Sequence, residues 1–139
     1  AMELSIDDFI TQLEDWNAQR TPGDIEGALT SVCELIRSMV LNEGELPKLL
    51  INEGDASLYT GFLHKVADRC AHYVCDSTVA EFATLHTVEI DHVYETFYVL
   101  IVGLVMYIRT HPDAPVELIR DIAASTLHLD AYLAPKTGA

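Results

Sequence analysis

Thr96 to Ile108 reads Thr-Phe-Tyr-Val-Leu-Ile-Val-Gly-Leu-Val-Met-Tyr-Ile, thirteen residues without a charge. No other stretch limits the fold as strongly. A bilayer span needs roughly 20 apolar residues, and the flanks, Glu95 and Arg109, form no basic anchor. The residue types are β-prone, but they do not alternate, and the pattern from Val88 to Thr110 is too long for a strand. A helix apolar on every side must be enclosed by other helices. The run therefore predicts an all-α, single compact helical bundle of five to seven helices around a central apolar helix at about 88–110.

The remaining pattern supplies the helices that would surround it. Ile6, Phe9, Ile10, Leu13 and Trp16 recur at spacings of three and four, an amphipathic stripe. Ser5-Ile-Asp-Asp8 ahead of it resembles a capping box. Thr21-Pro22-Gly23-Asp24 predicts a second start, with Thr21 as cap and Pro22 in the first helical position. Its stripe is Ile25, Leu29, Val32, Cys33, Ile36, Met39 and Val40, ended by Asn42-Glu43-Gly44. A short helix is expected over Leu46–Asn52, closed by Gly54. Asp55-Ala-Ser57 opens another, with Leu58, Tyr59, Phe62, Leu63, Val66, Ala67, Cys70 and Val74 in register. Thr78-Val-Ala-Glu81 reads as a further capping box, and Thr87 marks either a continuation or a restart. Gly103 in the central helix predicts close packing against a neighbour. His111-Pro-Asp-Ala-Pro115 breaks the chain before a last helix from about Pro115 to Leu133.

One domain is expected over 1–139, with Ala1 a remnant ahead of a native Met2 and 135–139 a frayed tail. No positively charged leader precedes an apolar segment, and three cysteines (Cys33, Cys70, Cys75) are an odd number. Both point to a reducing, cytoplasmic setting.

Chemistry leaves few marks. Glu89-Ile-Asp-His92 has the i, i+3 spacing by which a helical Glu and His hold one metal ion, with His86, Asp91 and Glu95 nearby. A second Glu-x-x-His is missing, so metal or small-molecule binding near Glu89 and His92 is the alternative reading, and no cofactor is expected. Cys70-Ala-His-Tyr-Val-Cys75 lacks the second pair of a zinc site and the spacing of a redox couple. No nucleophile elbow and no glycine-rich phosphate loop occurs. A non-enzymatic protein is expected.

Charge suggests the partner. Twenty-two Asp and Glu against eight Lys and Arg give −14, although half the residues are hydrophobic. That surface disfavours nucleic acid and anionic membrane and favours a basic protein. Residues 1–55 hold 12 acids and three bases, the acids arriving as spaced pairs rather than as a tail. The leading expectation is a binding module for a basic protein partner: an inhibitor or immunity-type protein, a chaperone or adaptor, or a DNA mimic. Its expected contact residues are Asp7, Asp8, Glu14, Asp15, Asp24 and Glu26, with Trp16 as apolar anchor; Tyr73 is a further exposed aromatic candidate. A third reading is a structural homo-oligomer, a homodimer in the simplest case, that completes the burial of the central helix.

Overall fold

The fold is described for residues 2–21, 23–42 and 56–133 of a computed structural model of the chain. The short helix expected over Leu46–Asn52, the start at Asp55 and the tail at 135–139 lie outside the described residues.

Among the described residues there are five packed helices and no strand. We number them α1 (Met2–Gln19), α2 (Ile25–Asn42), α3 (Ala56–Val74), α4 (Val93–Thr110) and α5 (Val116–Thr126). Each buries the stripe its spacing predicts: Ile6, Phe9 and Leu13 from α1; Leu29, Cys33, Ile36, Met39 and Val40 from α2; Phe62, Val66, Ala67 and Cys70 from α3. α4 adds Leu100, Ile101, Leu104 and Ile108, and α5 adds Ile119, Ala123 and Ala124. The apolar run is the middle of the bundle, with α4 packed on α2, α3 and α5. α2 shares that centre, touching α1, α4 and α5.

Enclosure of α4 is one-sided. Four of its 18 residues are buried, while Val99 is 67% exposed and Met106 42%. Val99, Gly103 and Met106 fall at i, i+4 and i+7, one outward stripe. Gly103 is therefore not a close-packing position: a Cβ there would meet nothing within 4 Å. By length and mean hydropathy (18 residues, 1.4) α4 also matches a membrane span.

Several ends differ from the pattern. α1 is already helical at Met2, so Ser5 is not its cap. α2 begins at Ile25, and Asp24 rather than Thr21 caps it: Asp24 Oδ1 accepts a hydrogen bond from the Gly27 N–H at 2.9 Å. A side chain on Gly27 would collide with that carboxylate, with Cβ 2.2 Å from Asp24 Oδ2, which explains the glycine.

Thr78 opens no helix. α3 runs on through a π-helical turn, Cys75–Val79, into Ala80–Phe82 without leaving helical backbone angles. Local competition removes the cap: Ser77 Oγ donates to the Tyr73 carbonyl at 2.6 Å, and Thr78 Oγ1 donates to Asn17 Oδ1 of α1 at 2.8 Å. The chain then turns at 83–85 and stays irregular to 92, so the central helix starts at Val93 and not at Val88.

The two prolines separate α4 from α5 as expected, and Arg37 of α2 holds the turn. Its Nη2 donates to the Pro112 carbonyl at 2.8 Å and its Nε to that of Ala114 at 3.2 Å. α5 stops at Thr126, short of Leu133. His128 takes φ 58°, the Leu129 N–H reaches the Ala124 carbonyl at 2.7 Å, and the His128 N–H reaches that of Ser125 at 3.3 Å. That bond pair is a Schellman stop, built with histidine where glycine is usual. A 3-10 turn follows at Asp130–Tyr132.

Candidate functional site

The seven residues expected to meet a basic partner divide in the fold. Asp8, Glu14 and Asp15 face solvent from α1, and among the described residues no ion pair engages them. Asp7 is exposed but paired with Arg69 of α3. Asp24 is committed to the α2 cap, and Glu26 stands 3.7 Å from Arg120 of α5.

Trp16 is not a free anchor. Its ring packs against the core, its Nε1–H donates to Ser31 Oγ at 2.8 Å, and the Arg20 guanidinium lies 5.9 Å from the ring centre. Tyr73 likewise packs against the core. The cause is the α1·α2 packing, which turns the Trp16 side of α1 inward.

The Glu89/His92 spacing loses its meaning because its residues are not helical. Glu89 and Ile90 lie in irregular chain, and His92 flanks α4 with φ −116° and ψ 75°. The i, i+3 rule stacks side chains only on a helix. Among the described residues no three His, Cys, Asp or Glu side chains converge as a metal site. Glu89 has a different place, in the wall of a cavity.

That cavity has a volume of about 280 Å³ and lies inside the bundle. Phe9, Leu13 and Trp16 of α1 form one wall; Leu29, Val32 and Ile36 of α2 another; Phe97, Leu100 and Leu104 of α4 a third. The π-helical turn contributes Thr78 and Val79, and the chain after α5 contributes Leu127, Leu129 and Tyr132. Protein interiors ordinarily leave few voids larger than a water molecule. An apolar void of about 150 Å³ stays dry and takes up benzene. This one is larger and approaches the lower limit of small-molecule pockets, about 300 Å³.

One end opens to solvent. Leu85 lines the cavity while 68% exposed, and Tyr132 while 39% exposed. Glu81, Glu89 and His128 are exposed lining residues too. An aromatic group sits there: the His86 ring is 4.7 Å from Phe82 and 5.2 Å from Tyr132. Arg20 closes the polar part. Its Nη2 holds Glu81 Oε2 at 2.8 Å and its Nε donates to Asn17 Oδ1 at 2.9 Å.

The thiols are quiet. Burial pushes Cys33 and Cys70 up to about 12, and burial followed by the nearby Asp76 and Glu95 charges raises Cys75. No cysteine has the lowered pKa of a nucleophile. Outside the core, the Asp68 carboxylate accepts the Tyr94 hydroxyl proton and, with desolvation, pushes that phenol up to about 12.

The cavity residues are legible in sequence only as core. A void is a deficit of volume between helices, and no single stripe carries it. The nearest signal is Leu85, an apolar residue in a turn beside Phe82. No protein-family model matches the chain, and no curated protein or solved structure shows significant similarity to it.

Proposed function

We propose that this protein is a non-catalytic binding protein that takes a small hydrophobic molecule into its helical bundle. The observation that carries the reading is the cavity of about 280 Å³, lined mainly by apolar side chains and open at one end. An empty apolar void weakens a fold by forfeiting packing contacts. A ligand that fills it restores those contacts and stabilises the protein through binding.

Trp16 is the sole tryptophan and stands in the wall, so its emission reports occupancy. Titration with a neutral aromatic probe such as toluene or indole is expected to shift that emission and raise Tm. Ala28→Phe, which fills the space from α2, should abolish the response while the protein stays folded. No emission shift and no rise in Tm up to the solubility of either probe overturns the reading.

A second reading, binding of a basic protein, is supported by Asp8, Glu14 and Asp15, three carboxylates held outward on one rigid helix. Fixed charges of this kind raise association rates and help select a partner. The partner would be captured from a native lysate and released by salt. Reversing Asp8 and Asp15 to lysine is expected to slow its association; an unchanged rate sinks the assignment of that face.

A further inference from the structure

We infer that the cavity selects an organic cation with a hydrophobic body, a protonated or quaternary amine. This rests on the reading of the cavity as a ligand site and adds the charge of the ligand to it.

Three carboxylates, Asp24, Glu81 and Glu89, and one guanidinium, Arg20, line the cavity. The guanidinium is already spent on Glu81 and Asn17, and Arg20 keeps only 10% of its side chain exposed. It has little to offer an anion. Asp24 caps α2. Glu89 is different: it is exposed, and among the described residues it forms no hydrogen bond or ion pair. An ammonium group held at the mouth would meet this carboxylate without breaking an existing pair.

The aromatic lining points the same way. Phe82, His86 and Tyr132 cluster at the exposed end. Ring faces attract cations through the quadrupole, and quaternary ammonium groups are held in aromatic cages on this principle. The whole chain, at −14, adds a long-range field that draws cations and repels anions. The chemistry of the wall thus sorts ligands that fit equally well by shape.

The test uses three probes of similar size: benzyltrimethylammonium, its neutral isostere neopentylbenzene, and the anion 3-phenylpropionate. Trp16 emission and Tm are read at pH 8 in low salt. The cation is expected to bind about tenfold tighter than the neutral isostere, with the anion weakest, and 0.5 M salt should narrow the gap by screening. Glu89→Gln, an exposed change that the fold tolerates, should weaken the cation about threefold to tenfold and leave the neutral probe unchanged. If the neutral isostere binds as tightly as the cation, or Glu89→Gln leaves cation affinity intact, the charge assignment fails and the cavity reading stands. If none of the three binds and toluene and indole are also silent, both fail.

Discussion

At the scale of single residues, the cysteines and His128 carry the sharpest consequences. Cys33 and Cys70 are each 1% exposed, whereas Cys75 is half-buried on the π-helical turn. Iodoacetamide should therefore label Cys75 first and reach the other two only on unfolding, as intact-mass spectrometry would show; equal labelling of all three under native conditions contradicts the packing. Burial holds the Cys33 and Cys70 protons up to about 12 in the fold, against 9.0 for a free thiol. The folded chain thus binds more protons than the unfolded chain between those values, so stability is fully present below about pH 9 and is lost as pH rises toward 12. Tyr94 acts in the same direction above pH 10. Urea midpoints should hold between pH 8 and about 9 and then fall as the pH rises to 11. His128 sits at φ 58°, a conformation that costs a non-glycine residue roughly 1–2 kcal/mol. After allowance for the looser unfolded chain, His128→Gly should stabilise by about 0.5–1 kcal/mol. Calorimetry should register this as a rise of about 2–4 °C in Tm.

Elements are where sequence pattern and structure agree most and also part company. The stripes of α1, α2 and α3 were readable because one buried face repeats at 3.6 residues, whatever the face packs against. Helix ends were less readable. Thr78 and Glu81 have capping-box spacing, yet Thr78 bonds to Asn17, sixty-one residues away, and the helix passes through them. A cap competes with every other acceptor the fold brings near, and spacing cannot record those. Glycines sharpen the contrast. Gly103 faces open space on a helix, so Gly103→Ala should stabilise by about 0.5–1 kcal/mol in urea denaturation. Gly27→Ala places a methyl against the Asp24 carboxylate and should cost about 1 kcal/mol through the lost cap. Equal effects of the two substitutions would contradict the cap geometry.

Across the whole molecule, charge and apolar surface set the expectations. The outward stripe of α4, Val99 and Met106, leaves hydrophobic side chains in water on a chain carrying −14. Like charge opposes self-association while the stripe favours it, and salt screens only the first. Light scattering should therefore find a larger oligomeric mass at 0.5 M salt than at 20 mM. Val99→Lys should remove that salt response; a mass independent of salt rules out the stripe as an interface between copies. The cavity also belongs to this scale. It needs α1, α2, α4, the π-helical turn and the chain after α5 together, so Glu89, a metal ligand only in the alternative reading of the sequence, becomes a wall residue once all are packed.

The sequence by itself determined the class of the protein: all helical, centred on the run from Thr96 to Ile108, acidic, with its core residues already marked by periodicity. These follow from local physics, since an apolar stripe must bury a face, as even the uncharged run of α4 does on one side. Only the tertiary structure decided where α2 and α4 start and where α5 stops, which of the acids are engaged, that Trp16 faces inward, and that the bundle holds a cavity open at one end. The reason is physical. A cap, an ion pair or a cavity is a relation between side chains far apart in sequence, and its energy exists only when packing brings them to within a few ångströms.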